Sequence, residues 1–265
     1  MGLFKGKRGV IMGVANERSI ATGIADFLSK EGAELAFSFL EDEKGRSEMR
    51  VRKAIGHLNP KVLKGCNVNK DQDIQNFFSE TSKVFPQIDF MVHSIAFASL
   101  DEIRKPCLDV SREGFLTAME SSVYSFISTS RVAAQYMKEG ASILTLSYFG
   151  GEKVVVGYNL MGIAKSALES SVRYLAHDLG SRGIRVNAIS AGPIKTLAAS
   201  AVGVSSMLDF NASVSPLKRN VSSIEVGKSA GYLLSDLSSG TTGEIHHVDA
   251  GFNIMGAFET ENSTN

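Results

Sequence analysis

The sequence predicts an α/β fold, a Rossmann-like doubly wound parallel sheet with helices on both faces in a three-layer α/β/α arrangement. Short apolar runs alternate along the chain with segments of helical periodicity, which is typical of a parallel sheet with right-handed crossovers. The first apolar run ends in a glycine-containing turn that leads into a helix. At 265 residues with 43% hydrophobic content the chain is long enough for one well-buried core, so we expect a single domain spanning residues 1–265.

Apolar periodicity predicts the elements in order. The predicted strands cover residues 8–12, 34–40, 61–66, 88–96, 142–148, 183–190 and 246–249. One predicted helix begins near Ser19, another ends near Leu58, and four more cover residues 71–84, 111–138, about 158–180 and 224–234. The long amphipathic stretch at 111–138 forms either core or a subunit contact, since periodicity alone does not distinguish the two.

Composition excludes several classes of partner. Lys plus Arg and Asp plus Glu both number 28 and no block of like charge occurs, so we expect neither a nucleic-acid nor a membrane partner. No segment approaches the run of about 18 apolar residues that spans a bilayer, and the N-terminal segment is too short and polar for a signal peptide. Cys66 and Cys107 have no CxxC spacing and no His-rich company. We therefore expect a cytoplasmic protein with a small ligand and no metal site.

The turn after the first strand has the mechanics of a nucleotide site. Gly13 stands where the chain leaves the strand, Ser19 can cap the next helix, and the free N–H groups at that helix start suit a pyrophosphate. The stretch 13–23 is not the GxGxxG fingerprint, so a βα turn without a nucleotide is the alternative.

Acidic residues follow the second strand. Glu41 and Asp42 stand about twenty residues after the glycine turn, where a carboxylate would hold the adenine ribose hydroxyls, and this favours NADH over NADPH. Lys44 and Arg46 argue the other way, because either can meet a 2′-phosphate. The alternative for both acids is the first turn of the next helix, where the helix dipole stabilises negative charge.

A tyrosine and a lysine carry the candidate chemistry. Tyr158 and Lys165 are seven positions apart, close to two helical turns, so we expect both side chains on one face. An ammonium beside a phenol would lower the phenol pKa from about 10 and let the tyrosine share its proton with a developing oxyanion. Tyr148 ends the preceding strand, where parallel sheets present their chemistry. A chance spacing among six tyrosines is the alternative.

The fourth strand ends in small residues. Ser94, Ala96 and Ala98 would let a flat ring approach the backbone. His93 is interpreted as a packed strand residue, because no second metal ligand is near it in the sequence. The adjacent histidines at 246–247 are also interpreted as structural, since neighbouring strand residues face opposite sides of a sheet.

Two segments near the C-terminus are expected to be weakly anchored. Residues 196–212 contain many small side chains after Pro193, and we interpret them as a substrate lid, with a plain surface loop as the alternative. Residues 259–265 are polar and are expected to form a frayed tail.

Together these motifs resemble one family, the NADH-dependent enoyl-acyl-carrier-protein reductases of bacterial fatty-acid synthesis, a divergent branch of the short-chain dehydrogenases. The resemblance covers nearly the whole chain. It is carried by GVA at 13–15, SIA at 19–21, HSI at 93–95, LTLSY at 144–148, YNLMGIAK at 158–165, RVNAISAGPI at 185–194 and TLAAS at 196–200.

The resemblance implies a reaction and roles for individual residues. Hydride would pass from NADH to the β-carbon of a trans-2-enoyl thioester carried on acyl carrier protein, in the last reductive step of fatty-acid elongation. Tyr158 would hydrogen-bond the thioester oxygen as charge develops, Lys165 would hold the nicotinamide ribose, and Tyr148 would orient or protonate the substrate. Ala98 and Met161 would border the acyl chain. A homotetramer is also implied.

Cofactor contacts are implied at matching positions along the chain. These positions are Gly13, Ser19, Ile20, Leu40, Asn67, Val68, Ile95, Lys165, Ile194, Lys195, Thr196, Leu197 and Ala198. Leu40 and Asn67 depart from the family pattern, in which a polar residue and an aspartate usually lie beside the adenosine. Ser205 and Ser206 replace bulkier residues in the predicted lid.

Two other functions stay open at this point. An ordinary short-chain dehydrogenase acting on a carbonyl or alcohol would use the same tyrosine and lysine with a serine about thirteen residues earlier, where this chain has Thr145. A regulatory or scaffold protein that kept the fold and lost the chemistry is the second alternative, and the intact Tyr148, Tyr158 and Lys165 argue against it.

Overall fold

A parallel sheet of seven strands forms the centre of the computed structural model, which describes residues 2–196 and 204–257. The strands are β1 (Arg8–Met12), β2 (Glu34–Phe39), β3 (Val62–Gly65), β4 (Ile88–His93), β5 (Met137–Ser147), β6 (Arg185–Ala191) and β7 (Ile245–Val248). Their order across the sheet is β3-β2-β1-β4-β5-β6-β7, and each neighbouring pair is parallel. The predicted doubly wound fold is confirmed.

Helices cover both faces of this sheet. They are α1 (Ile20–Lys30), α2 (Arg46–Ile55), α3 (Asp71–Val84), α4 (Leu100–Arg104), α5 (Arg112–Met119), α6 (Ser125–Ala133), α7 (Asn159–Gly180), α8 (Val204–Val214) and α9 (Ser223–Leu234). One core cluster packs α3, α6 and α7 against the sheet, with Phe77, Phe126 and Leu168 buried in it. A second cluster packs α1 and α9 on the other face, with Ile24 and Val226 buried. Because both faces are covered, the inner strands such as β1 and β4 are buried along almost their whole length.

The chain reverses direction across the sheet beside β1. Strands β2 and β3 lie on one side of β1, and the chain then returns to place β4 on its other side. In open α/β sheets, ligands bind in the crevice outside the carboxyl ends of the two strands at such a switch point. The residues that follow Met12 and His93 therefore border the expected ligand crevice.

The single helix predicted at 111–138 is wrong in detail. A π-helical segment, Glu120–Tyr124, separates α5 from α6, and Met137 already belongs to β5. Serine side chains bond the backbone through this segment, because Ser122 Oγ accepts from the Phe97 N–H at 3.0 Å and Ser125 Oγ donates to the Ser121 carbonyl at 2.8 Å. Apolar periodicity does not report such hydrogen bonds, so the break was not predictable from it.

Other element boundaries also differ from the prediction. Strand β4 ends at His93 rather than at residue 96, and β5 begins five residues before the predicted start at 142. Helix α4 was not predicted, although Ser99 caps it by accepting from the Glu102 N–H. Strand β1 and helix α3 have the predicted bounds.

Several expectations concern residues that are only partly described. Helix α8 covers the second half of the predicted lid at 196–212, whereas residues 197–203 and the predicted tail at 259–265 lie outside the described residues. The lid, the tail and the single-domain division stay predictions. Within residues 2–196 and 204–257, no helix is long and apolar enough to cross a membrane, and no group of three or more His, Cys, Asp or Glu residues is arranged to hold a metal ion.

Candidate active site

Gly13 brings the carboxyl ends of β1 and β4 close together. Its φ angle is +104°, a left-handed conformation that favours glycine, and a Cβ atom there would lie 2.0 Å from the Ser94 carbonyl oxygen. The added Cβ would also lie 3.1 Å from Cγ1 of Ile95. Since a side chain at Gly13 would push β4 away, the crevice at the switch point depends on this glycine. Gly13 and Ile95, two predicted cofactor residues, are thus neighbours.

The prediction that the Ser19 side chain caps helix α1 is wrong. Ser19 occupies the N-cap position, but its Oγ accepts from the N–H groups of Ala15 and Asn16, each at 3.1 Å. The serine therefore holds the glycine turn in shape. The Thr22 and Gly23 N–H groups donate to the Ser19 carbonyl, whereas those of Ile20 and Ala21 have no partner inside the helix and are not capped by this side chain. The latter two suit an anionic phosphate, which fits the predicted pyrophosphate position.

Asp42 serves the start of helix α2. Its carboxylate accepts from the N–H groups of Ser47 at 2.5 Å, Lys44 at 3.0 Å and Arg46 at 3.2 Å. The hydrogen bonds from Ser47, with those from Arg46 and Lys44, lower the pKa of Asp42 to about 2. Asp42 lies before the N-cap residue Gly45 and bonds the first N–H groups of α2, so it is not in the first turn itself. Its predicted contact with the adenine ribose stays a prediction. Leu40, at the end of β2, is 61% exposed.

Asn67 and Val68 follow β3 after Cys66, at the carboxyl end of that strand. Asn67 Oδ1 accepts from the Asn69 N–H at 3.0 Å, and the Asn67 N–H donates to Asp73 Oδ2 at 3.1 Å. Val68 is buried against the core. These contacts fix the backbone at Asn67 and Val68 and leave their predicted cofactor contacts as predictions.

Tyr158 and Tyr148 form a ring pair at the end of β5. Tyr158 precedes the first residue of α7, and its ring centroid lies 4.8 Å from that of Tyr148, with an edge-to-face angle of 69°. The Tyr148 hydroxyl lies 3.5 Å from Met207 Sδ on α8. The two predicted catalytic tyrosines are thus adjacent, and the helix that overlaps the predicted lid contacts one of them.

Lys165 is buried beside the end of β5. Its side chain is 6% exposed, and Nζ donates to the Leu146 carbonyl of β5 at 2.7 Å. Burial lowers the pKa of Lys165 to about 8, and the neighbouring Glu169 opposes that change. A lysine ammonium has three N–H donors, so two stay available beyond the bond to Leu146.

The expected lowering of the Tyr158 pKa is wrong. Burial, with the nearby Tyr148 as a smaller cause, raises the pKa of Tyr158 above its ordinary value. Lys165 hydrogen-bonds the Leu146 carbonyl, so desolvation of the phenol decides the direction. Burial also raises the pKa of Tyr148. Both phenols therefore keep their protons at neutral pH and can donate hydrogen bonds.

His93 is structural, as predicted. It is fully buried, with Nδ1 3.2 Å from Thr145 Oγ1 and Nε2 2.9 Å from Ser125 Oγ. Burial, with the Lys165 charge, lowers the pKa of His93 to about 3, so the ring is neutral at physiological pH. Thr145 is fully buried and donates to the His93 carbonyl at 3.2 Å. It therefore does not present its hydroxyl to a substrate.

Two of the predicted substrate residues belong to one buried cluster. Ala98 and Met161 are both buried in the core cluster against which Tyr158 and Ile95 pack. On the opposite side of the crevice, a cleft of about 470 Å³ joins the glycine turn to the segment after β6. Its lining includes Glu17, Arg18, Pro193, Ile194, Lys195 and Leu208. Thr196 is described, whereas Leu197 and Ala198 lie outside the described residues.

Two residues near the tyrosines escaped prediction. The Asn159 Nδ2 donates to the carbonyls of Lys105 at 2.8 Å and Ile103 at 3.2 Å, which ties the end of α4 to the start of α7. Glu169 is buried one turn after Lys165 and accepts from Ser147 Oγ. The only signal in the sequence was an acid four residues after a lysine on one helix.

The parallel sheet, the glycine crevice at its switch point and the tyrosine–lysine arrangement define a dinucleotide-binding reductase of the short-chain dehydrogenase class. A family model described as Enoyl-(Acyl carrier protein) reductase matches residues 13–253. The chain therefore belongs to the enoyl-acyl-carrier-protein reductase family, as the sequence motifs predicted.

Relatives of known name agree with this assignment. "Enoyl-[acyl-carrier-protein] reductase [NADH] 1" from Rhizobium meliloti (strain 1021) is 54% identical over 96% of this chain and 93% of its own length. The FabI enoyl reductase [NADH] of a Nostoc strain is 48% identical over 95% and 98%. The crystal structure of the Anaplasma phagocytophilum enoyl reductase in complex with NAD has a TM-score of 0.93, with 45% identity over 98% of both chains. The NADH-dependent enoyl reductase from Aquifex aeolicus VF5 has a TM-score of 0.92, with 45% identity over 97% and 100%.

Gly13→Ala should weaken nucleotide binding, because the added Cβ would collide with the Ser94 carbonyl and widen the crevice. Backbone strain at positive φ costs about 1–2 kcal/mol in addition. Gly6→Ala is the control for that strain, since Gly6 has φ +78° and a Cβ added there would meet nothing within 4 Å. Isothermal titration with NADH should show at least about tenfold weaker binding for Gly13→Ala alone. Equal affinities in the two variants would contradict this account of the crevice.

The cost of burying the Lys165 charge should depend on pH. The folded pKa is about 8 against an ordinary value of 10.5. Below pH 8 both states hold the proton and the full cost, about 3 kcal/mol, is present. Between pH 8 and 10.5 the folded state loses the proton first, so the free energy of unfolding of the wild type should rise relative to Lys165→Met. Urea unfolding of both proteins from pH 7 to 10 measures this difference. A difference that stays constant would contradict the assigned burial cost.

Proposed function

We propose that this chain catalyses the NADH-dependent reduction of the carbon–carbon double bond of a trans-2-enoyl thioester carried on acyl carrier protein, the last reductive step of bacterial fatty-acid elongation. The observation that carries the proposal is that two adjacent protonated tyrosines and a buried lysine, bonded to the Leu146 carbonyl, all lie at the carboxyl end of β5. The names of the relatives support the same reaction.

The residues around the switch point fit NADH. Gly13 provides the close approach of backbone that a dinucleotide needs, and the uncapped start of α1 suits its pyrophosphate. When bound, NADH supplies the hydride that the β-carbon of the enoyl group accepts. Lys165 would hold the nicotinamide ribose hydroxyls with the N–H donors that Leu146 does not use. Ile95 and the segment 194–196 would line the nicotinamide side, with Leu197 and Ala198 expected to continue it.

Tyr158 acts in this proposal as a hydrogen-bond donor. When hydride adds to the β-carbon, the π electrons move toward the thioester carbonyl and an enolate oxygen develops. A phenol with a raised pKa keeps its proton and can donate to that oxygen, which is the type of electrostatic stabilisation that contributes most to many enzymatic rates. The α-carbon then takes up a proton to complete the saturated thioester.

Lys165 and Tyr148 support that step. With a pKa of about 8, Lys165 is mainly protonated at neutral pH, so its positive field favours the developing oxyanion. Tyr148 packs edge-to-face on Tyr158 and thereby restricts the rotation of both rings. Its hydroxyl would orient the thioester, while Ala98 and Met161 would border the acyl chain.

The structure of the Thr145 site disfavours the carbonyl or alcohol alternative. That chemistry needs a hydroxyl about thirteen residues before the tyrosine to face the substrate. Here Thr145 Oγ1 is buried and bonds His93 instead. Reduction of a carbon–carbon double bond requires no such hydroxyl in the proposed arrangement, because Tyr158 meets the remote oxygen.

We infer a homotetramer in the cytoplasm as the working form. An apolar groove of about 540 Å³ on α5 and α6 is lined by Leu116, Met119, Glu120, Val123, Tyr124 and Ile127. Helix α7 also exposes Ile163 and Tyr174. Exposed apolar helix faces of this extent favour contacts with further copies of the chain. The two free cysteines, Cys66 and Cys107, are compatible with a reducing compartment.

Purified protein should oxidise NADH only when a crotonyl thioester is present. A steady-state assay run in parallel with NADH and NADPH, and with a ketone and an alcohol as competing substrates, measures both choices. We expect turnover of the enoyl thioester with NADH as the better cofactor. Turnover of only the ketone or alcohol would overturn the proposed reaction.

Tyr158→Phe should lower kcat by about 100-fold or more, since the phenol hydrogen bond is made in the transition state. Binding of NADH should be unchanged, because the hydroxyl is assigned to the substrate oxygen. Tyr174→Phe is the matched control, since Tyr174 lies on the same helix and is 72% exposed. Stopped-flow single turnovers and NADH titration separate the two effects. A Tyr158→Phe enzyme with the wild-type rate would remove this tyrosine from the mechanism.

A further inference from the structure

The turn after Tyr148 lies between the side chains of Tyr158 and Glu169. A Cβ atom at Gly150 would lie 2.5 Å from Tyr158 Cδ1 and 3.4 Å from Tyr148 Cδ1. A Cβ atom at Gly151 would lie 2.5 Å from Glu169 Oε1. The glycine pair is thus in contact with the catalytic rings on one side and with the Glu169 carboxyl on the other. Any movement of this turn would therefore move the rings.

Glu169 is the polar anchor of this junction. It is 5% exposed, and it accepts a hydrogen bond from Ser147 Oγ, the last residue of β5 before Tyr148. Ser166, on the same helix, donates to the Gly151 carbonyl. The end of the strand and the turn are therefore both bonded to α7, the helix that begins directly after Tyr158. One buried acid links the backbone positions of the two tyrosines.

Glu169 has charged or titratable neighbours on α7, on β7 and after the turn. Lys165 and Arg173 lie one turn away on α7, Glu152 follows the turn, and His247 on β7 lies 2.6 Å from Glu152 Oε1. Burial raises the pKa of Glu169, the bond from Ser147 opposes that, and Glu152 adds to the rise. In either protonation state the carboxyl keeps an oxygen that can accept from Ser147.

We propose that Glu169 is a positioning residue of the enoyl reductase reaction: by accepting from Ser147 and packing on Gly151, it fixes the strand-to-turn junction that orients Tyr148 against Tyr158. This inference rests on the proposed function. Glu169 touches neither substrate nor cofactor in this account. It acts through the turn, and the property that matters is the acceptor oxygen at the end of a side chain of this length.

If Glu169 acts as a hydrogen-bond acceptor, its substitutions should differ in their effect on kcat. Glu169→Ala removes the oxygen and leaves space beside Gly151, so kcat should fall by about tenfold or more while the KM for NADH changes by less than about twofold. Glu169→Gln keeps the length and an acceptor oxygen but loses the charge that raises the pKa of Lys165. Assayed at about pH 6, where Lys165 stays protonated without that charge, it should restore kcat to within about threefold of the wild type. Ser147→Ala should match Glu169→Ala, and the double variant should be no slower than either single one, because both remove the same bond.

A core variant controls for simple loss of stability. Val172 is fully buried in the core cluster on the same helix. Val172→Ala should lower Tm about as much as Glu169→Ala while leaving kcat within about twofold of the wild type. An equal loss of kcat in both would mean that any weakening of α7 slows the enzyme, and it would overturn the inference.

The test combines steady-state kinetics with near-ultraviolet circular dichroism. The chain has no tryptophan and six tyrosines, so the aromatic signal reports mainly on tyrosine rings such as this packed pair. Glu169→Ala should change that signal, and Glu169→Gln and Val172→Ala should not. Wild-type kcat in Glu169→Ala, or a Glu169→Gln enzyme as slow as Glu169→Ala, would overturn the inference. A wild-type protein inert toward enoyl thioesters would contradict the proposed function instead, and an unchanged dichroism signal in Glu169→Ala would then overturn the positioning role separately.

Discussion

Burial of the Lys165 ammonium is the constraint on which the rest of the site depends. A charged lysine in a dry interior is unfavourable unless polar groups surround it. The end of β5 supplies the Leu146 carbonyl at 2.7 Å, and helix α7 supplies the Glu169 carboxyl one turn further along. These two groups fix where the strand and the helix meet. Because Tyr148 follows the strand and Tyr158 precedes the helix, the same junction sets the position of both rings.

The wall behind the crevice is built from polar side chains that are satisfied internally. Ser121 exchanges hydrogen bonds with Asn69, Ser122 bonds both backbone groups of Phe97, and Ser125 bonds the Ser121 carbonyl and lies 2.9 Å from His93. Serines usually lower the stability of a helix interior because they compete for its backbone. Here the serines lie in and beside the π-helical segment, and their hydrogen bonds connect it to the loops after β3 and β4. The helix is less regular there, but its serines fix the positions of Asn69 and Phe97 in the neighbouring loops.

Burial is the main cause of the protonation states of Tyr158 and Lys165. Desolvation raises the pKa of Tyr158 and lowers that of Lys165, so at neutral pH both groups keep their protons. A neutral phenol can donate a hydrogen bond to an oxygen whose negative charge is only developing, whereas a phenolate has no proton to donate. In the proposed mechanism Tyr158 therefore acts in its protonated form.

The sequence by itself determined the fold class, the bounds of β1 and α3, the family, and the helical spacing that joins Tyr158 to Lys165. These features depend on local periodicity and on motifs, which a single chain displays directly. Only the tertiary structure decided that Lys165 bonds Leu146, that Thr145 bonds His93, that Asp42 accepts from the first N–H groups of α2, and that Glu169 accepts from Ser147 before the turn. Periodicity tells which face of an element is buried, whereas the partner of a buried polar group comes from residues distant in sequence, so these choices exist only once the chain is folded.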